Sequence, residues 1–128
     1  MQKEKNLDSN LAILPIGSVA SILDVHPRTL RIYDKEGILC PSRSRKNRRN
    51  YSLNDLEKAR LILFLTRNLA LNLSGVKIIL AMLEEKNIPP IEYIPYINKI
   101  AKKAKIDTKE QETNIEKTSK RGRKPKNS

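Results

Sequence analysis

The sequence predicts a mainly α-helical fold with a short β element; two observations carry that reading, and a third bears on what the fold binds. Apolar residues make up 38% of the 128, but aromatics only 4%, with no Trp and one Phe. A core built from Leu, Ile, Val and Ala suits packed helices better than a β-sandwich. Apolar residues recur at helical spacing in several windows, whereas residues 42–51 have no such period and consist mainly of Ser, Arg, Lys and Asn. Finally, 26 Lys and Arg against 14 Asp and Glu give a net charge of +12, the balance expected of a nucleic-acid binder.

Taken in order, residues 1–14 form a polar, then mildly apolar arm that Pro15 ends. Gly17 and Ser18 offer an N-cap to a short helix carrying Val19, Ala20, Ile22 and Leu23. Pro27 suits a first helical position, where its missing N–H costs nothing. The helix it opens is expected to run to Glu36, with Leu30 and Tyr33 on one face and Arg28, Thr29, Arg31 and Lys35 on the rest. Gly37 is a candidate left-handed C-cap and Pro41 confirms the stop. Residues 42–51 then read as a loop or hairpin with its tip near Lys46-Asn47 and a return strand from Arg48 to Tyr51.

Ser52-Leu53-Asn54-Asp55 resembles a capping box with Asp in place of the usual Glu. It precedes a helix with Leu56, Ala59, Leu63 and Leu69, whose middle, Leu61 to Leu65, is apolar nearly all round. Asn68 to Asn72 is its expected fraying end. Ser74 is the expected cap of a further helix through Val76, Ile79, Leu80 and Leu83, which Asn87 and Pro89-Pro90 terminate. A last helix, 91–104, is expected to bury Ile94, Ile97, Ala101 and Ala104 and to expose Lys99, Lys102, Lys103 and Lys105. From Asp107 the chain is polar and is predicted to be disordered. The expected organisation is an arm at 1–14, a DNA-binding domain at 15–86, a short helical element at 87–106 and a basic tail at 107–128.

Several function classes fall away. One cysteine, Cys40, forbids a disulfide within the chain, and with His26 as the only histidine a zinc site has no obvious ligands. No nucleophile–base pair, metal cluster or phosphate-cradling glycine loop points to an enzyme, and no cofactor is expected. No signal-peptide core or membrane-length apolar run is present, so the expectation is a cytoplasmic protein without membrane contact. The charge concentrates instead in residues 25–51. Arg28, Arg31, Lys35, Arg43, Arg45, Lys46, Arg48 and Arg49 face only Asp34 and Glu36 there, a surplus suited to a phosphate backbone.

With the residues laid out this way, residues 16–83 resemble the winged helix-turn-helix of the MerR family of bacterial transcription regulators. The segments that carry the resemblance are Ile16-Gly17-Ser18-Val19-Ala20, the run HPRTLRIYDKEGIL, Arg49-Asn50-Tyr51-Ser52, the helix from Leu56, and LNLSGVKIIL. His26-Pro27 and the run from Asn72 to Val76 are most similar to the heat-shock-repressor branch. The resemblance implies that the helix at 27–36 enters a major groove with Arg28 and Thr29 nearest the base edges, since Arg can pair bidentately with guanine. It implies phosphate contacts for Arg31 and Tyr33, whose ring could equally serve the core. It gives the wing arginines Arg43, Arg48 and Arg49 to the flanking backbone or minor groove, and counts Tyr51 among the DNA-binding residues, with packing at the base of the wing as its favoured role. His26 reads as a helix-entry residue. Cys40 reads as structural, with a redox-sensitive thiol as the alternative.

The sequence departs from the family pattern at Ile32, where many members carry a second aromatic, and in its C-terminal part. Pro89-Pro90 and Pro95 forbid the long pairing helix of the family, so 91–104 is the only candidate dimer element. A homodimer on a palindromic site is therefore implied by the family alone. No sensor region is evident, which favours a protein co-regulator or a concentration signal over a small ligand. In the tail, Lys120-Arg121-Gly122-Arg123-Lys124-Pro125 resembles an AT-hook that would place Arg121 and Arg123 in an A·T minor groove, although a plain solvated basic tail reads equally well. The function expected is a sequence-specific transcription regulator, a nucleoid-associated repressor reading an inverted repeat with 27–36 and 42–51. The competing reading is an architectural or excisionase-like protein using the same winged helix.

Overall fold

A computed structural model describes residues 8–108. These residues divide into two compact units, the first ending at Arg60 and the second beginning at Leu61. Arg121 and Arg123, with the whole AT-hook reading, lie outside the described residues.

The first unit is built on a three-stranded antiparallel sheet. Its strands are β1 (Leu14–Pro15), β2 (Ser42–Arg43) and β3 (Arg49–Tyr51), in the order β1-β3-β2. Leu14 lies opposite Tyr51, Ser42 opposite Asn50 and Arg43 opposite Arg49. Helix α1 (Ile16–Leu23) starts directly from β1. The expected cap at Gly17 and Ser18 is thus corrected: Pro15 occupies the N-cap position without a side-chain bond, because residues 14–15 are paired in the sheet. Proline can sit there because this is an edge strand and needs no ladder N–H. Asp24, at φ 58°, turns the chain out of α1.

Helix α2 spans Pro27–Lys35. His26 caps it, its Nδ1 accepting from the Arg28 N–H at 3.0 Å. Gly37, at φ 73°, closes the other end, with Ile38 N–H donating to the Tyr33 carbonyl at 2.9 Å and Gly37 N–H to Asp34 at 3.0 Å. That pair of bonds is a Schellman motif, and its left-handed residue is a glycine, which adopts the conformation without steric cost. The expected hairpin is present between β2 and β3. Asn47 N–H donates to the Ser44 carbonyl at 2.8 Å, and Asn47 itself adopts φ 59°. A type I turn followed by a left-handed residue is a standard three-residue hairpin loop, and Asn tolerates that conformation well.

Helix α3 (Leu53–Arg67) opens on the capping box expected from the sequence. Ser52 N–H donates to Asp55 Oδ2 and Asp55 N–H to Ser52 Oγ, both at 3.0 Å. The arm is tied to the same place: Asn54 N–H donates to the Ser9 carbonyl at 3.0 Å and Asn54 Nδ2 to Asn10 Oδ1 at 2.7 Å. Val19, Ala20, Leu23, Leu30, Tyr33, Ile38, Leu39, Tyr51, Leu56 and Ala59 are the buried apolar residues of this unit, and Ser52 is buried beside them in the chain.

The second unit begins within α3 and continues through α4 (Leu73–Glu85), a single 3₁₀ turn (Pro90–Glu92) and α5 (Tyr93–Lys103). Of the apolar run in α3, Leu61, Ile62 and Leu65 are fully buried, while Leu63 and Phe64 are half-buried. Ala70, at φ 55°, separates α3 from α4. The cap of α4 is Asn72, whose side chain accepts from Gly75 N–H at 2.9 Å, and not Ser74, which lies inside the helix. The last helix also departs from expectation. Because the 3₁₀ turn takes up residues 90–92, the helix starts at Tyr93, and the buried stripe is Tyr93, Ile97 and Ala101. Ile94 is half-buried and Ala104 exposed. Pro95 falls in the first turn, where its missing N–H breaks no bond.

Leu65 is 0% exposed in this helical core. Leu65→Ala removes buried methyl groups and leaves a cavity, so a loss of about 2–5 kcal/mol is expected in urea-melt experiments. A loss below about 1 kcal/mol would show the site to be far less tightly packed than the structure indicates.

Candidate nucleic-acid interface

The basic residues singled out by the sequence occupy two adjoining parts of the first unit. On α2, the buried Leu30 and Tyr33 hold one side of the helix, and Arg28, Arg31, Ile32 and Lys35 are exposed on the other. Spacings of three, four and seven residues set those four along one stripe of the helix. Thr29 is half-buried beside it. On the hairpin, Arg43, Arg45, Lys46 and Arg48 are exposed. An open depression of about 410 Å³ runs along α2 to β3, lined by Arg28, Arg31, Ile32, Asp34, Lys35 and Arg49.

Asp34 organises this surface, a role the charge count alone did not reveal. Its Oδ2 accepts from Arg49 Nε at 2.9 Å and lies 3.7 Å from Arg43 Nη2. Arg43 and Arg49 are direct cross-strand partners, a placement in which two like charges repel. The carboxylate compensates both and ties the hairpin to α2. With side chains only 20% and 23% exposed, Asp34 and Arg49 form a partly desolvated pair with better geometry than a typical surface bridge. Arg43 Nη1 also donates to the Asn47 carbonyl at 3.2 Å, fastening the strand to the turn. Two of the three wing arginines are therefore engaged within the protein, and Arg48 carries the hairpin's outward charge with Arg45 and Lys46. The only signal for Asp34 in the sequence is that it is one of two acids among eight cations in residues 25–51.

The two tyrosines are placed inside. Tyr33 is 6% exposed and Tyr51 0% exposed. Tyr51 offers no surface to a ligand in this arrangement, which corrects its inclusion among contact residues, and Tyr33 has its ring in the core. The Tyr51 hydroxyl has no hydrogen-bond partner among the described residues. Burial pushes this phenol up to about 12, with Arg49 opposing the shift and Asp34 adding to it. A phenol that stays protonated in the folded state while the unfolded one ionises near 10 favours folding fully below pH 10. That contribution is lost as pH rises from about 10 to about 12. Tyr51→Phe removes both the unpaired hydroxyl and the titration. Its stability at pH 7 is expected to equal or exceed the parent's, with a shallower alkaline decline. A melt of Tyr51→Phe that falls as steeply as the parent's above pH 10 would contradict this placement.

Cys40 is exposed, with its sulfur 3.8 Å from the Asp34 carbonyl. Partial desolvation, followed by the Asp34 charge, pushes the thiol up, which disfavours the thiolate that redox chemistry requires. Among the described residues, no group of His, Cys, Asp and Glu could hold a metal ion, and no helix is long and apolar enough to cross a membrane.

Comparison with known proteins agrees with this geometry. A family model described as "MerR HTH family regulatory protein" matches residues 14–83, from β1 through most of α4. HspR of Streptomyces coelicolor, named as a heat shock protein, is 33% identical over 76 residues, covering 59% of this chain and 50% of its own. The HTH-type transcriptional regulator GlnR of Bacillus anthracis is 34% identical over 74 residues, covering 58% of this chain and 57% of its own, and GlnR of Bacillus cereus matches equally. The chain thus spans about half the length of the curated relatives it matches. The family match extends over more than half of the sequence and takes in the sheet, both helices of the helix-turn-helix and the capping-box helix. The chain belongs to the MerR family of helix-turn-helix regulatory proteins.

Proposed function

We propose that this protein is a DNA-binding transcription regulator, a repressor that reads an inverted repeat as a homodimer. Its reading head is the first unit: α2 in the major groove, with Arg28 and Thr29 toward base edges, and Arg31 and Lys35 toward phosphates. The hairpin tip, Arg45, Lys46 and Arg48, grips the flanking backbone. The observation that carries the reading is the Asp34 clamp. It fixes a basic helix face and a basic hairpin in one geometry, as a duplex with two regularly spaced targets demands. The name of GlnR, an HTH-type transcriptional regulator, supports the same direction.

In this reading residues 15–86 constitute the DNA-binding domain, the helix after Pro90 contributes to pairing of two copies, and a protein co-regulator supplies the signal. The Arg121 and Arg123 tail adds affinity through A·T-rich minor grooves. Footprinting on genomic fragments tests the proposal. One protected palindrome at a promoter is the expected result. Broad A·T-rich coverage, or sites confined to recombination regions, would replace the regulator with an architectural or excisionase-like protein.

A further inference from the structure

One exposed side chain on the α2 face is not basic. Ile32 is 43% exposed and stands among Arg28, Arg31 and Lys35 within the depression that Arg49 and Asp34 complete. Helix geometry places it away from Leu30 and Tyr33, which hold the buried side, so packing in the fold does not account for it. Single exposed apolar residues are ordinary on protein surfaces. This one differs by position, because the other exposed residues that line the depression, Arg28, Arg31 and Lys35, all carry a positive charge. Against a duplex held by those charges, a branched aliphatic chain has one apolar target among the base edges of the major groove, the 5-methyl group of thymine.

We propose that Ile32 is a specificity-determining residue that reads a thymine methyl in each half-site. The inference rests on the DNA-binding reading above and adds to it a base identity that the arginines do not supply. Arg28 suits guanine, whereas Ile32 selects thymine over cytosine, which has only hydrogen at C5 and an amine in place of O4. The contact is apolar, so it contributes to discrimination without contributing to the salt dependence of binding.

The test replaces each thymine of the protected site in turn by deoxyuridine, which deletes only the methyl group. Wild-type protein is expected to lose about three- to fivefold in affinity at one thymine per half-site, the effect of leaving one methyl unburied. Ile32→Ala is expected to bind the thymine and deoxyuridine duplexes equally at that position, with an unchanged salt slope. As Ile32 is exposed, this variant leaves no cavity in the core, and its far-UV circular dichroism should match the parent's. If every deoxyuridine substitution is neutral for the wild type, or if Ile32→Ala keeps the penalty, the assignment is overturned. Loss of the penalty in Thr29→Ser but not in Ile32→Ala would give the methyl contact to Thr29 and overturn it likewise. Absence of any protected site would overturn the DNA reading itself, a distinct outcome from binding without methyl discrimination.

Discussion

Arg28→Ala is expected to reduce the preference for the cognate site over other sequences by about 1–3 kcal/mol, while binding to unrelated duplexes changes little. The reasoning starts from the helix entry. Arg28 follows Pro27 in the first turn of α2, and its side chain is exposed. Its backbone N–H, not its side chain, donates to His26 Nδ1, so alanine preserves the cap. Leu30 and Tyr33 remain buried on the opposite side, so the helix keeps its seat. What is lost is a planar, doubly donating group able to pair with one base edge. Competition binding with cognate and scrambled duplexes measures the difference. An equal loss on both would make Arg28 a phosphate contact.

Asp34→Ala carries the second large effect, and its sign separates two accounts. Counting charge alone, removing an anion from a basic surface should strengthen DNA binding. The clamp geometry leads to the opposite expectation. Without the carboxylate, Arg49 loses its 2.9 Å partner and faces Arg43 directly across the ladder. The hairpin then separates from α2, and the wing no longer meets the backbone in register. A stability loss of about 1–3 kcal/mol is expected, because a partly buried guanidinium is left unpaired. Affinity for the cognate site should fall, and amide exchange of residues 42–51 should quicken. A double-mutant cycle with Arg49→Ala should show that the two losses overlap instead of adding. Tighter binding by Asp34→Ala, with unchanged exchange in the hairpin, would reduce the clamp to an incidental surface pair. Arg48, by contrast, should behave as a plain phosphate contact, its removal lowering the salt slope by about one.

What the sequence made legible follows from how local each signal is. The capping box at Ser52–Asp55, the proline start and glycine stop of α2, and the hairpin turn at Asn47 depend on bonds between neighbours a few residues apart. Each was therefore readable from residue type and spacing. The pairing of Leu14–Pro15 with β3 joins residues more than thirty positions apart, and a two-residue strand has too little pattern to announce itself. The same limit hid the Asp34 clamp, which joins positions fifteen residues apart through side chains. In the last helix Ile97 and Ala101 are buried as expected, but the 3₁₀ turn at residues 90–92 makes Tyr93 the first helical residue, and Tyr93 joins the buried stripe while Ile94 is half-buried and Ala104 exposed. Tyr51 ends β3, and its full burial removes it from any contact surface.

The central claim is that α2 reads bases from the major groove while the hairpin holds the backbone. Guanine N7 lies in the major groove, so its protection from methylation reports occupancy of that groove directly. On the footprinted site, wild-type protein should protect a guanine N7 in each half-site, Arg28→Ala should lose that protection while remaining bound, and Arg48→Ala should retain it at a higher protein concentration. Protection confined to adenine N3 in the minor groove, or guanine protection indifferent to Arg28→Ala, would contradict the assignment.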